Sequence, residues 1–207
     1  METRNIIFDL GGVLLDIDFD LTVKAFTALG LADPEKAFTK NVQSGLFQNF
    51  EKGLISPEDF IDALSKQMPG ATAVQIRDAW NALLVNFPIT RYSFLKSLSS
   101  DFDLFVLSNT NAIHEKAFVD IIDDSVGWAN FESLFRGIAY SHHLGKRKPE
   151  LAIFREVLEK YQLDKDETVF IDDTLLHIQS ANKLGIRSFH LEGEEAESCL
   201  RRHLSIG

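Results

Sequence analysis

The sequence predicts an α/β fold, and two observations carry that prediction. First, short apolar runs of strand length alternate, from residue 88 onward, with segments whose apolar residues recur at helical spacing. Such alternation favours a parallel sheet covered by helices on both faces. Second, three of the apolar runs end in polar residues, as strands do at the ligand-binding edge of an open parallel sheet.

The predicted strands are short and are bounded by turn-forming or polar residues. They cover Asn5–Phe8, Asp103–Leu107, Gly137–Ser141, Thr168–Ile171 and Arg187–Leu191. The predicted helices of this part cover Tyr92–Leu98, Ile113–Ile122, Glu150–Tyr161 and a segment that ends at Gly185, a residue type suited to terminate a helix. The sheet therefore combines the first strand with strands from the second half of the chain.

A helical segment separates the first strand from the others. Between about residues 19 and 87 the apolar residues recur at helical spacing, and no strand-like run is present. Ser56-Pro57 is typical of a helix start, and a further helix is predicted over Ala73–Asn86. We therefore expect residues 1–15 and 88–207 to form the core and residues 16–87 to form a small all-helical insertion.

Composition limits the possible partners and the compartment. The 207 residues carry a formal net charge of −10, which disfavours nucleic acid and anionic membranes as partners. The first residues lack the features of a signal peptide, and no apolar run approaches the ~20 residues of a membrane helix. The sequence therefore predicts a cytoplasmic protein. Any anion-binding pocket must be made locally positive by lysines, backbone N–H groups or a metal ion.

Polar residues at the strand ends form the candidate site. They are Asp9, Ser108-Asn109 and Asp172-Asp173, and Lys148 lies in a loop before a helix. Because the carboxyl ends of parallel strands share one edge, we expect these side chains to meet. Clustered carboxylates require a cation, and an all-oxygen set suits Mg²⁺. Together with Lys148, that ion would offset the charge of a phosphate, Ser108 and Asn109 would donate to its oxygens, and one carboxylate would attack phosphorus.

Four motifs resemble those of the haloacid dehalogenase superfamily. They are FDLGGVLLD, LSNT, the lysine of KRKPE, and FIDDTLLHIQSANKLG, and they occur in the family's order. Each motif alone is weak evidence for this family, whereas all four motifs in the family's order are strong evidence. The resemblance implies a Rossmann-like core with a helical cap at about residues 16–87. The chain is similar to bacterial sugar-phosphate phosphatases, especially those that act on glucose 1-phosphate, so the implied substrate is a small phosphorylated metabolite.

The resemblance also implies a role for each motif residue. Asp9 is the nucleophile and a metal ligand, and the backbone carbonyl of Gly11 is a second ligand. Ser108, Asn109 and Lys148 hold the phosphate. Asp173, together with Asp172, completes the Mg²⁺ site.

The sequence departs from the family pattern at Gly11. The family usually has an aspartate there, which protonates the leaving group and then activates water. General acid catalysis contributes roughly a hundred- to ten-thousand-fold in rate, so its loss favours substrates with a stable leaving group, such as anomeric sugar phosphates or acyl phosphates. Asp16, Asp18 or a histidine could replace the missing acid, and the sequence does not choose among them.

A second departure is His177, where the family usually has Asn or Asp. Histidine is a poorer partner for Mg²⁺ than an oxygen group, so metal affinity and activity are both in question.

Two alternative functions are open on the sequence. One is a catalytically weakened binding or regulatory protein, supported by Gly11 and His177. The other is a metal-independent 2-haloacid dehalogenase, which the acidic pair Asp172-Asp173 disfavours.

His142-His143 has the composition of a metal-binding pair. Neighbouring residues along a chain usually point apart, and we therefore expect these histidines to be simple loop residues.

Overall fold

The centre of the molecule is a five-stranded parallel sheet. The computed structural model describes residues 2–35 and 45–204. Their strands are β1 Asn5–Phe8, β2 Asp16–Ile17, β3 Leu84–Asn86, β4 Asp103–Ser108, β5 Phe135–Tyr140, β6 Thr168–Asp172 and β7 Arg187–His190. The sheet has the order β5-β4-β1-β6-β7, and each of its pairings is parallel. The predicted parallel sheet is confirmed.

Helices connect these strands. They are α1 Phe19–Ala28, α2 Gly45–Glu51, α3 Pro57–Ser65, α4 Ala73–Asn81, α5 Ile89–Leu98, α6 Ala112–Val126, α7 Trp128–Glu132, α8 Ser141–Leu144, α9 Leu151–Lys160, α10 Leu175–Lys183 and α11 Ala196–Leu204. A one-turn 3-10 helix, Lys165–Glu167, precedes β6. The sequence pattern did not predict α7, α8 or α11. In the described part of the chain, no helix has the length and hydropathy to cross a membrane.

The central strands are apolar on both faces of the sheet. In β1, Ile6 and Phe8 join one buried cluster, whereas Ile7 joins a second cluster with Phe105. Helices α5, α6, α7 and α11 contribute to the first cluster, and α9 and α10 to the second. Because both faces are covered, the ends of the strands are the part of the sheet left to bind a ligand.

The helices α1–α4, here called the helical block, pack around a cluster of their own. Its centre is aromatic: the rings of Phe50 and Phe60 stack with their centroids 4.1 Å apart, and Trp80 lies beside them. Ser56 caps α3 as predicted, because its Oγ accepts the backbone N–H of Asp59 at 3.0 Å. Of the predicted domains, residues 1, 36–44 and 205–207 lie outside the described residues.

One prediction for this region is wrong. The helix expected over Ala73–Asn86 ends at Asn81, and β3 pairs antiparallel with β2. Residues 16–87 therefore contain a short two-stranded ribbon besides the helices. The two segments that connect the block to the sheet run side by side, and pairing satisfies backbone groups that a loop would leave to solvent. The backbone N–H of Asp18, for example, donates to the Leu83 carbonyl at 2.8 Å.

We predict that Phe154→Ala lowers the free energy of unfolding by about 3–5 kcal/mol, because the side chain is fully buried and its ring packs edge-on against Phe170. Arg155→Ala on the same helix is the control, since Arg155 is exposed and its removal should change stability by about 0.5 kcal/mol or less. Urea unfolding of both variants measures this. Equal losses would show that α9 does not pack as described.

Candidate active site

A cavity lies between the carboxyl edge of the sheet and the helical block. Five predicted site residues line it: Asp9, Gly11, Ser108, Asn109 and Asp173. The other two, Lys148 and Asp172, are fully buried beside them. All seven predicted residues are thus brought together, because β1, β4 and β6 are adjacent strands and their ends share one edge.

The ammonium group of Lys148 is the hub of this cluster. Its Nζ lies 2.9 Å from Asp9 Oδ1, 2.6 Å from Asp172 Oδ2 and 2.9 Å from the Leu107 carbonyl. Three acceptors match the three donors of an ammonium. Burial opposes the charge on Lys148, but Asp172 and Asp9 outweigh it and its pKa is raised. Lys148 is therefore buried as a cation at physiological pH.

The side chain of Asn109 positions Lys148. Its Oδ1 accepts the backbone N–H of Lys148 and its Nδ2 donates to the Lys148 carbonyl, both at 2.8 Å. The amide thus clamps the backbone of a residue 39 positions away. The sequence suggested that Asn109 donates to phosphate, whereas the geometry gives its amide a further task in holding the lysine.

Asp9 occupies an environment that disfavours its charge. Burial raises its pKa to about 7, with Asp172 adding to the effect and Lys148 opposing it. Its Oδ1 also accepts the backbone N–H of Leu10 at 2.7 Å. A second cation near Asp9 would favour its carboxylate form.

The two acids after β6 differ in their contacts. The carboxylate of Asp172 accepts from Lys148 Nζ, from the Thr174 backbone N–H at 2.7 Å and from His177 Nδ1 at 2.9 Å. Asp173 instead lines the cavity and lies over the turn after β1. A Cβ at position 12 would lie 2.5 Å from Asp173 Oδ2, and Gly12 has a φ of +79°. Glycine is needed there for both reasons.

His177 contacts the acidic pair and lines the cavity. Burial, followed by the charge of Lys148, lowers its pKa to about 3. A carboxylate only accepts hydrogen bonds, so Nδ1 of the neutral ring carries the proton that Asp172 accepts. His177 therefore supports Asp172 in this arrangement.

The acids suggested as substitutes for the missing general acid lie elsewhere. Asp16 pairs with Arg91 at 2.7 Å, and Asp18 caps α1 by accepting the Asp20 backbone N–H at 2.9 Å. Neither is among the residues that line the cavity. Two histidines, His114 and His177, do line it.

The cavity also contains a buried ion pair that the sequence pattern did not predict. Arg147 Nε donates to Glu51 Oε2 at 2.8 Å, and both side chains are largely buried. Glu51 belongs to α2, so the pair connects the helical block with the loop that carries Lys148. The sequence offered two signals: Glu51 is a charged residue next to Phe47 and Phe50, and Arg147 is a second cation directly before Lys148.

A second missed contact joins α4 to α6. The ring of His114 stacks on Trp80 with centroids 4.5 Å apart, and its Nε2 lies 2.9 Å from the Trp80 carbonyl. Trp80 Nε1 donates to Asn111 Oδ1 at 3.3 Å. Burial lowers the pKa of His114 to about 4, so the ring is neutral at physiological pH. These contacts seat the helical block over the cavity.

Comparison with known proteins places the chain in a family. Residues 3–185 match the family described as haloacid dehalogenase-like hydrolase. The chain is 30% identical over 193 residues to D-ribitol-5-phosphate phosphatase of Bacteroides thetaiotaomicron. The alignment covers 91% of this chain and 92% of that protein.

Solved structures agree. A haloacid dehalogenase family enzyme of Bacteroides thetaiotaomicron, an Asp-to-Ala mutant in complex with magnesium and inorganic phosphate, superposes with a TM-score of 0.89. The two are 32% identical, and the match covers 96% of this chain and 99% of that one. A predicted hydrolase of the same family from Porphyromonas gingivalis gives a TM-score of 0.87 at 31% identity, with full coverage of both chains.

We predict that Lys148→Met lowers the free energy of unfolding by about 3–5 kcal/mol, because it leaves Asp9 and Asp172 buried without their cation. Lys146→Met is the matched control: Lys146 is partly exposed and pairs with Glu156, and an exposed pair contributes about 0–1 kcal/mol. Chemical denaturation in chelator compares the two. A Lys148 variant as stable as the Lys146 variant would contradict the role given to the ammonium.

Proposed function

This chain belongs to the haloacid dehalogenase-like hydrolase family, and we propose that it hydrolyses a small phosphorylated sugar or polyol through an aspartyl-phosphate formed on Asp9. Its family and its phosphatase relatives make it a hydrolase of phosphoric monoesters. One observation carries the proposal for Asp9: this carboxylate follows β1, lines the cavity and forms an ion pair with the buried ammonium of Lys148.

The residues present fit a magnesium ion. Asp9, Asp173 and the backbone at Gly11 line the same cavity and offer hard oxygen donors. The raised pKa of Asp9 reflects a surplus of buried negative charge that a cation would relieve. When bound, Mg²⁺ would neutralise charge on the phosphate and orient it.

Asp172 has a different role in this proposal. One ligand atom each from Asp9, Asp172 and His177 lie within 4.8 Å of one another, which is a spacing suited to a metal. However, the ammonium of Lys148 already lies between Asp9 and Asp172. We therefore assign direct metal contact to Asp9, Gly11 and Asp173, and assign to Asp172 the positioning of Lys148 and His177.

The chemistry of the chain's own residues follows from these positions. A carboxylate oxygen of Asp9 forms a bond to phosphorus as the ester oxygen leaves, and water then hydrolyses the acyl phosphate. Lys148 holds positive charge beside Asp9 throughout, and Ser108 lies where its hydroxyl can donate to a phosphate oxygen. Asn109 keeps the Lys148 backbone in place.

We assign residues 1–15 and 88–207 to the core and residues 16–87 to a cap that covers the cavity. The buried clusters support this division for most of the segment, since residues 16–87 have an aromatic cluster of their own that takes only Ile113 from the rest of the described chain. Ile17, Leu84 and Phe87, near the two ends of the segment, pack with the core instead. The ion pair Glu51–Arg147 and the stack of Trp80 on His114 hold the two parts together.

The lining of the cavity supports a polyol or sugar as the substrate. Glu51, Arg147 and Thr22 provide polar groups, while Trp80 and Phe47 provide apolar walls. A few polar groups among apolar walls orient a small ligand. The relative named D-ribitol-5-phosphate phosphatase acts on a phosphorylated polyol, which agrees with this chemistry.

Gly11 favours a second candidate, an anomeric sugar phosphate. Position 11 has no acid, and Asp16 and Asp18 do not line the cavity. A leaving group that needs little protonation would be least affected by this absence. The two candidates therefore differ in the substrate, while the role of Asp9 is the same in both.

A substrate panel tests the proposal and separates the candidates. We expect phosphate release from D-ribitol 5-phosphate, glucose 1-phosphate, glucose 6-phosphate or acetyl phosphate, and a fall on the order of 10⁴-fold or more in Asp9→Asn, because the nucleophile is lost. Asp16→Asn, an acid outside the cavity, is the control and should retain activity.

The pattern of rates decides among the hypotheses. If glucose 6-phosphate is hydrolysed faster than both glucose 1-phosphate and acetyl phosphate, the preference for activated leaving groups is wrong. Highest activity on D-ribitol 5-phosphate would support the polyol. A protein that is inert on every ester, or an Asp9→Asn variant as active as the parent, would contradict the proposed mechanism and favour a binding protein.

We further expect chelation to abolish activity and Mg²⁺ to restore it, whereas a dehalogenase would need no metal. Asp173→Asn should raise the Mg²⁺ concentration that gives half-maximal activity at least about tenfold. Loss of a direct ligand should weaken metal binding at least as much as loss of a residue that only orients a ligand. Asp172→Asn should lower the maximal rate with a smaller shift in that concentration. The reverse ranking of the two variants would contradict the assignment of the ligands.

A further inference from the structure

Three metal-binding side chains meet outside the candidate active site. Glu115 lies in the first turn of α6, and His142 and His143 lie in α8. Glu115 Oε2 is 2.8 Å from His142 Nε2 and 3.2 Å from His143 Nε2. None of the three lines the cavity. Their arrangement is therefore separate from the proposed magnesium site.

The structure differs here from the sequence prediction, in which His142 and His143 are simple loop residues. Both belong to a one-turn helix, and their rings lie with centroids 4.1 Å apart. Neighbours in a helix are about 100° apart rather than opposed. Two long side chains can therefore converge on one partner, and Glu115 on the adjacent helix is that partner.

We propose that Glu115, His142 and His143 form a site for Zn²⁺ or a similar transition-metal ion. In tetrahedral coordination at Zn–N and Zn–O distances of about 2.0–2.2 Å, neighbouring ligand atoms are about 3.3 Å apart. The observed separations of 2.8 and 3.2 Å are close to that edge length, and one ligand atom from each of the three residues lies within 4.8 Å of the other two. Imidazole ligands favour Zn²⁺, Ni²⁺ or Cu²⁺ over Mg²⁺.

The exposure of the three groups suits an open, loadable site. The His142 side chain is 6% exposed, Glu115 is partly exposed and the His143 side chain is 57% exposed, so an ion can enter from the His143 side and keep a water as its fourth ligand. The other ring nitrogen of His142, Nδ1, is buried, and among the described residues it has no hydrogen-bond partner of normal geometry. A metal on Nε2 would place the proton of the neutral ring on Nδ1.

The position of the site indicates what an ion would do. Helix α6 follows the Ser108–Asn111 segment, and α8 precedes the loop that carries Lys148. Ser141 Oγ already links these regions, because it accepts the Thr110 N–H and donates to the Thr110 carbonyl, both at 2.9 Å. An ion bound by Glu115 and the two histidines would connect the same two regions at a point outside the cavity. The site does not depend on the phosphatase reaction.

Zinc binding to the full chain tests this proposal. The protein is stripped with chelator and dialysed, saturated with Mg²⁺, and titrated with ZnCl₂ by calorimetry, and thermal unfolding is recorded with and without Zn²⁺. We expect one Zn²⁺ to bind and to raise the melting temperature. In His143→Asn and in Glu115→Gln the affinity should fall at least about tenfold, since each removes a direct ligand.

Two histidine variants make the result specific. His203→Asn, an exposed histidine remote from the site in sequence, should bind Zn²⁺ as the parent does. His177→Asn should also retain this binding. The proposal is overturned if the parent binds no Zn²⁺ in excess Mg²⁺, or if His143→Asn keeps the parental affinity while His177→Asn loses it. We expect both test variants to fold, because the His143 side chain is 57% exposed and Gln has nearly the same shape as Glu.

Discussion

The buried ammonium of Lys148 is the interaction on which the arrangement of the site depends. It joins Asp9 after β1, Asp172 at the end of β6 and the Leu107 carbonyl in β4, so one charge links the carboxyl ends of three adjacent strands. Burial disfavours each charged group alone, and removing the ammonium would leave both carboxylates buried without a cation. The amide of Asn109 fixes the lysine backbone in turn. The position of the proposed nucleophile is thus controlled by a loop far from it in sequence.

The residue before this lysine organises the other side of the cavity. Arg147 reaches Glu51 in the helical block, while Lys148 reaches the acids of the sheet. Two adjacent cations therefore contact opposite walls of the cavity. Through them the loop between α8 and α9 connects the helical block to the ends of the strands. The stack of Trp80 on His114 adds an apolar contact to this junction. The space for a substrate is defined by contacts between the block and the core rather than by either alone.

Two glycines in the turn after β1, which have no side chain, affect the site in different ways. Gly12 leaves room for Asp173 to lie against the turn, which brings that carboxylate into the cavity with Asp9. Gly11 leaves the cavity without the acid that the family usually has at this position, which is the basis of the proposed preference for substrates whose leaving group needs little protonation. The hard oxygen donors here and the imidazoles near Glu115 suit different metal ions, so the proposed magnesium and zinc sites would not compete for the same ion.

The sequence by itself predicted the parallel sheet, the largely helical segment after the first strand and the meeting of seven residues at the carboxyl edge of the sheet. These follow from local patterns, because apolar runs set the strands and parallel strands place their polar ends at one edge. Only the tertiary structure decided which neighbours each group meets. Glu51 and Arg147 pair across 96 residues, β3 exists because it pairs with β2, and His142 turns toward Glu115 on another helix. Such contacts depend on how elements pack, and the spacing of residues along the chain does not encode that directly.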